Sequence, residues 1–133
     1  MNLVVDASVL LAVLTSEPER ARIIELTQDA DLLAPSSVHW EMGNALSAMV
    51  KRGRLNTVQA TAVLKNYERI PIRFVEVSLP ESIQISVERR IYAYDAYLIA
   101  CARDQRCRLI SLDKALLQAA TDSGVQTDEV PNQ

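Results

Sequence analysis

Residue types that build thiol and imidazole sites are scarce in this sequence. Its 133 residues include two cysteines, Cys101 and Cys107, and one histidine, His39. A structural zinc site needs four such ligands, and cysteine pairs that bind zinc are usually closer than this C-x5-C spacing. We therefore predict two reduced thiols, with Cys101 inside a core helix. A lone histidine is more typical of a surface or packing residue than of a general base.

Long hydrophobic runs and chain-breaking residues are also few. No apolar stretch approaches the roughly 20 residues that cross a bilayer, and glycine and proline number only three and five. Apolar residues make up 49% and charged residues 23% of the chain, which is typical of a globular protein. The first residues lack the basic region and cleavage site of a signal peptide. We expect one soluble, cytoplasmic domain over residues 1–133.

The sequence has no excess of positive charge. Its 14 lysines and arginines and 17 acidic residues give a net charge of −3. This balance argues against nonspecific nucleic-acid binding through a basic surface, although bound divalent cations could offset part of the acidity. The densest basic segment, Lys51-Arg52-Gly53-Arg54, is interpreted in two ways. Its cations complement a helix end before a glycine stop, or they hold phosphates near a cleft.

Short β-branched runs alternate with longer stretches of helical period. The pattern predicts strands at residues 3–5, 31–34, 72–77, 109–112 and 125–127, with helices between them. Within these helices, Val58, Ala62 and Leu64 lie on or near one face, as do Ile83, Val87 and Ile91. Such alternation predicts an α/β fold with a parallel sheet covered by helices. Ligands of these sheets bind outside the carboxyl ends of the strands.

Four carboxylates are placed to form a site at that edge. Asp6 and Asp113 directly follow strands, Asp95 opens the most apolar helix, and Glu41 lies within the helix after Ser37. An alternative role is helix capping, which suits the three aspartates because Asp is a preferred N-cap residue. Capping does not suit Glu41, whose own alternative is a solvated helix flank at the border of an apolar stripe.

The chemistry of these acids points to a divalent cation. Asp95 lies among apolar residues with no basic residue nearer in sequence than Arg90 or Arg103, so its charge is costly unless it is paired, protonated or bound to a cation. Converging carboxylates repel one another, and Mg²⁺ prefers oxygen ligands. One or two such ions can activate water and stabilise charge on a phosphodiester. Ser8 and Ser111, each two residues from an acid, are placed to orient that acid or a metal-bound water. The alternatives are that Ser8 faces helix backbone and that Ser111 is an ordinary alternating position of its strand.

Four segments around the acids carry a recognisable pattern. They are Val4-Val5-Asp6-Ala7-Ser8, Glu41-Met42-Gly43-Asn44-Ala45-Leu46, Tyr94-Asp95-Ala96 and Ser111-Leu112-Asp113. With these segments the sequence resembles PIN-domain nucleases, and especially the toxin components of VapBC toxin–antitoxin pairs. The resemblance covers nearly the whole chain, in the family's order.

The resemblance implies a three-layer α/β/α sandwich, Mg²⁺ or Mn²⁺ at the acids, and endonucleolytic cleavage of RNA by metal-activated water. Asp6, Glu41, Asp95 and Asp113 become the metal-binding and catalytic acids. Asn44 and Ser111 match polar positions that support them. The family also implies a homodimer and a small antitoxin. Ala115 stands where some relatives carry a further acid, which leaves the number of ions at one or two.

Three other interpretations are weighed against a toxin. A PIN-type RNA-processing nuclease would use the same acids without an antitoxin. A haloacid-dehalogenase-type phosphatase needs an acid two residues after its nucleophilic Asp, and Ser8 occupies that place. A non-catalytic, receiver-like binding domain usually pairs acids at the end of its first strand, where Asp6 stands alone.

Overall fold

A five-stranded, all-parallel sheet forms the centre of the molecule. The computed structural model describes residues 1–131, so the predicted domain end at Gln133 lies outside the described residues. The strand order is β3-β2-β1-β4-β5. The strands are β1 (Asn2–Val5), β2 (Asp31–Pro35), β3 (Ile72–Val75), β4 (Arg108–Ser111) and β5 (Thr127–Glu129). The predicted parallel sheet is confirmed, with the last strand two residues later than its pattern indicates.

Seven helices connect the strands. They are α1 (Ala7–Leu14), α2 (Arg20–Thr27), α3 (Ser37–Lys51), α4 (Thr57–Glu68), α5 (Leu79–Arg89), α6 (Ala93–Asp104) and α7 (Lys114–Asp122). Right-handed crossovers place α1 to α4 on one face of the sheet and α5 to α7 on the other. The packing agrees, since α1 contacts α2, α3 and α4, whereas α6 contacts α5 and α7. The α/β/α sandwich is therefore confirmed.

The hydrophobic core lies on both faces of the middle strands, under α6 on one face and under α1 and α3 on the other. Ala96 and the run from Leu98 to Ala102 are all buried, so α6 is the buried helix that its apolar sequence predicts. Cys101 lies in this helix, and both cysteines are free thiols, as expected.

The strand order reverses direction beside β1. From β1 the chain moves outward to β2 and β3, then returns to form β4 on the other side of β1. In the parallel register, Val5 pairs with Ile110, so Asp6 and Ser111 emerge together at the carboxyl edge. Such a switch point opens a crevice between the diverging connections. Because receiver domains have the order 2-1-3-4-5, the receiver-like interpretation is wrong.

No helix within residues 1–131 is both long enough and apolar enough to cross a membrane.

Candidate active site

Asp6 is held rigidly at the switch point. It is 5% exposed and caps α1, with Oδ1 accepting from the backbone N–H of Val9 at 3.1 Å. The Ser8 hydroxyl donates to the same oxygen at 2.7 Å, and the Ser111 hydroxyl donates to Oδ2 at 2.5 Å. Burial raises the pKa of Asp6, and repulsion from Asp113 adds to this, although the three hydrogen bonds oppose it. Asp6 therefore both caps a helix and contributes a charge-bearing oxygen to the strand edge.

The two serines tie Asp6 to the end of β4. Ser8 Oγ accepts from the Leu112 N–H at 3.1 Å, and Ser111 Oγ accepts from the Asp113 N–H at 2.9 Å. Each hydroxyl thus donates to the Asp6 carboxylate while accepting from the backbone that leads to Asp113. The geometry favours the orienting interpretation for both serines.

Asp113 caps α7 and is exposed. Its Oδ1 accepts from the backbone N–H groups of Ala115 and Leu116 at 3.0 and 3.1 Å. These bonds fix the carboxylate and use one of its two oxygens. Capping explains the orientation of Asp113 and leaves Oδ2 without a hydrogen bond among residues 1–131.

Asp95 is not a capping residue, which corrects its expected place at the start of the helix. Helix α6 begins at Ala93 with Tyr92 at the N-cap position, so Asp95 is the third helical residue. Burial raises the pKa of Asp95, and repulsion from Asp113 and Asp6 raises it further. No ion pair or hydrogen bond of this carboxylate is found in the part of the chain that is described. Among the described residues, neither capping, an ion pair nor a hydrogen bond explains why Asp95 lies beside the other acids.

Glu41 is the least satisfied of the four acids. It is half-buried on α3, and its Oε1 is buried without a hydrogen-bond partner. Burial, followed by repulsion from Asp6 and Asp95, raises the pKa of Glu41 from 4.5 to about 7. A buried carboxylate oxygen that lacks a donor costs free energy unless it is protonated or bound to a cation. The solvated-flank interpretation of Glu41 is therefore wrong.

The four acids face one another across the edge without cationic partners. The pKa shifts show mutual repulsion, and no ion pair involving them occurs in residues 1–131. Within the same residues no three His, Cys, Asp or Glu side chains meet as a preformed metal cage. The donor set, all oxygen and with one orphaned atom, fits a hard divalent cation.

Two other polar residues of α3 lie outside this cluster. Asn44 is exposed and lines the same cleft as Glu41, and its side chain makes no hydrogen bond to the acids. His39 is hydrogen-bonded through Nδ1 to the Tyr67 hydroxyl at 2.9 Å, and its ring lies 4.0 Å from that of Phe74. These contacts make His39 a packing residue, as its isolation in the sequence predicts.

Comparisons with known proteins show that the fold is shared. PAE2754 from Pyrobaculum aerophilum is 25% identical with a TM-score of 0.71, over 96% of this chain and 92% of that one. The VapBC2 structure from Rickettsia felis, bound to a promoter DNA fragment, is 12% identical with a TM-score of 0.69, over 98% and 100%. VapC20 from Mycobacterium tuberculosis, a sarcin-ricin loop cleaving toxin, is 16% identical with a TM-score of 0.63, over 88% and 94%.

The last two likenesses concern the fold alone. No curated protein sequence matches significantly. The PIN domain family profile, however, matches residues 3–122, which include all four acids and both serines. This chain therefore belongs to the PIN domain family.

Proposed function

We propose that this protein is a divalent-metal-dependent endoribonuclease that acts as the toxin of a VapBC-type toxin–antitoxin pair. The observation that carries the proposal is the convergence of Asp6, Glu41, Asp95 and Asp113 at the switch point without a cationic partner. PIN domains are generally nucleases, and this arrangement of acids suits phosphodiester hydrolysis.

The four acids form two pairs in this proposal. Asp6 and Asp113 present oxygens in fixed directions, because backbone N–H groups and serine hydroxyls restrain them. Glu41 and Asp95 complete the oxygen set from two further helices. A bound Mg²⁺ or Mn²⁺ would supply an activated water and offset charge on the phosphodiester. Burial and the neighbouring acids raise the pKa of Glu41 to about 7, so a cation bound there would compete with a proton for this carboxylate.

The toxin role rests on what similar structures contain. VapC20 is described as a toxin that cleaves the sarcin-ricin loop, and VapBC2 as a complex on promoter DNA. By extension, RNA is the proposed substrate and a small antitoxin the proposed partner. A neighbouring reading frame for a small DNA-binding protein would favour this role over that of an RNA-processing nuclease without an antitoxin.

The direct test is RNA digestion with and without metal. We expect cleavage of structured and single-stranded RNA in Mg²⁺ or Mn²⁺, none in EDTA, and recovery when the cation is restored. Electrophoresis of end-labelled RNA distinguishes internal cuts from trimming at the ends. Metal-independent cleavage, or no cleavage with either cation, would contradict the proposal.

A homodimer is the second part of the proposal, and the outer side of α5 supports it. Leu79, Ile83 and Val87 recur every fourth residue and are 57%, 45% and 72% exposed. Ser82 and Ile85 occupy the buried side instead. A contiguous apolar helix face in water is typical of a protein–protein interface. We therefore propose that two copies pair through this face of α5.

Replacing Val87 with glutamate should separate the dimer. A charge within an apolar interface costs several kcal/mol when it is desolvated, so we expect the dissociation constant to rise at least about 100-fold. Light scattering after gel filtration at micromolar concentration measures the change in mass. Val58→Glu, at an exposed apolar residue of α4, is the matched control and should leave the mass unchanged. Equal masses for Val87→Glu and the parent would exclude this interface.

A further inference from the structure

A cleft of about 760 Å³ opens beside the four acids, between α1 and α3. Apolar side chains of the two helices, Leu11, Ala45 and Ala48, line it. Glu41 belongs to both the cleft and the acid cluster, so the cleft is continuous with the proposed reaction site. A molecule held at the acids would therefore extend into this cleft.

Two exposed aromatic rings also line the cleft. Trp40 is 67% exposed and Tyr94 is 49% exposed. Each immediately precedes an acid of the cluster, Glu41 on α3 and Asp95 on α6. Large aromatic surfaces left in water beside a reaction site offer flat faces for stacking. The packing of the core does not account for them, since neither side chain is buried.

The α3 face that lines the cleft leads from acidic to basic residues. Glu41, Ala45, Ala48 and Arg52 are spaced by four, three and four residues, so they share one face of the helix. At 1.5 Å per residue, Arg52 lies about 16 Å along the helix axis from Glu41. Lys51 and Arg52 are exposed, and neither forms an ion pair within residues 1–131. Arg52 follows Ala48, the last α3 residue that lines the cleft, by one turn, so its charge lies just beyond the cleft on that side.

We propose that the cleft is a nucleobase-stacking subsite for single-stranded RNA, in which Trp40 and Tyr94 hold an unstacked base next to the scissile phosphate and Arg52 contacts a phosphate farther along the strand. This inference rests on the proposed function. Proteins that bind single-stranded nucleic acid combine aromatic stacking with positive charge along the backbone. Here the net charge of −3 limits backbone attraction, so stacking supplies much of the affinity.

A protein segment is the competing occupant, and charge argues for RNA. The cleft holds Glu41 of the acid cluster with two aromatic rings beside it and an apolar lining beyond, and the exposed basic residues Lys51 and Arg52 follow about one turn past that lining on α3. That order matches a phosphodiester at the metal, a base in the cleft and a second phosphate at Arg52. An apolar peptide would use the lining and leave the two charged ends without a role.

Fluorescence of Trp40, the single tryptophan of the chain, tests base stacking without cleavage. The Asp113→Asn variant is titrated in Mg²⁺ with octaadenylate RNA, and in parallel with an abasic ribose-phosphate chain of equal length. Indole is excited selectively, at the red edge of its absorption. We expect saturable quenching by octaadenylate and little change with the abasic chain, because a base stacked on indole quenches its emission. Equal quenching by both chains, or none by either, would overturn the proposal.

Steady-state cleavage of a single-stranded RNA gives the second measurement. Trp40→Ala should raise KM about 10- to 100-fold with little change in kcat, and Trp40→Phe should stay within a few-fold because it keeps a ring. Arg52→Gln should raise KM. It should also make the plot of log affinity against log salt concentration less steep, by about one unit of slope. Arg69→Gln is the matched control, since this exposed residue precedes the amino end of β3, at the opposite edge of the sheet.

Failure of the subsite and failure of the proposed function give different results. RNA cleavage by the parent with an unchanged KM in Trp40→Ala contradicts the subsite alone. Loss of dimerisation or of protein-partner binding in Trp40→Ala, with unchanged RNA kinetics, assigns the cleft to a protein and also overturns it. Absence of cleavage by the parent contradicts the proposed function, while the fluorescence titration still decides whether a base stacks on Trp40.

Discussion

Asp6→Asn is expected to lower the rate of RNA cleavage by about 10³-fold or more while the protein remains folded. The carboxylate provides two oxygens at the centre of the acid cluster, and an amide provides one weaker ligand without charge. The amide oxygen can still accept from Val9 N–H and the Ser8 hydroxyl, so the cap of α1 survives. Cleavage of end-labelled RNA in Mg²⁺ measures the rate.

The same substitution should leave stability unchanged or raise it slightly. Burial raises the pKa of Asp6, which means that the folded protein disfavours its charged form. A neutral side chain of the same shape removes that cost. Thermal unfolding followed by circular dichroism is the measurement. Asp29→Asn, at an exposed acid outside the site, should retain full activity. Full RNase activity in Asp6→Asn would exclude the proposed role of this carboxylate.

The sheet is predictable from sequence because its strands are short, apolar and separated by helical periods. The first four predicted strands overlap the observed ones, and their carboxyl ends identify Asp6 and Asp113 as neighbours. The fifth is displaced because Val125 is apolar and buried while it lies before the strand. In a central strand the buried residues are also the hydrogen-bonded ones. At an edge strand, a buried residue can lie outside the hydrogen-bonded segment.

Helix faces are harder to predict than helices. The apolar spacing of Ile83 and Val87 predicts α5 correctly, yet both residues are exposed and Ile85 is buried. On α4, Val58 and Leu64 are likewise exposed, and Val63 and Tyr67 face the core. Periodicity identifies an apolar face and gives no information about what covers it. A second copy or another partner can cover such a face as well as the core can.

The acids illustrate the same limit at the site. Sequence alone leaves Asp95 as a capping candidate, because α6 begins at Ala93 after Tyr92, a residue whose side chain makes no capping hydrogen bond and so gives no sequence signal for the helix start. It also leaves Glu41 at the border of an apolar stripe, since its burial depends on how α3 lies over the strand edge. The cleft beside Trp40 requires the relative position of α1 and α3, which no local pattern encodes.

Glu41→Gln is expected to lower the rate of RNA cleavage by about 10³-fold or more, as Asp6→Asn does. It should also stabilise the metal-free protein near neutral pH. The pKa of Glu41 is about 7 in the folded protein against an ordinary 4.5. Between these values the folded protein keeps a proton that the unfolded chain has released. Raising the pH through this window therefore removes stability, and the loss is complete above about pH 7.

Thermal unfolding in EDTA at about pH 5, near the lower limit of that window, and at about pH 8, above its upper limit, measures this effect. Solvent screening of the half-buried carboxylate limits the loss to about 1 kcal/mol, or roughly 3 °C in midpoint. The difference between the parent and Glu41→Gln isolates Glu41, because Asp6 and Asp95 shift in the same direction in both proteins. Added Mg²⁺ should restore the stability of the parent at pH 8 and should affect the variant less. A bound cation offsets both the burial cost and the mutual repulsion of the four acids. If the two proteins respond identically to pH and to Mg²⁺, Glu41 does not belong to the cation site.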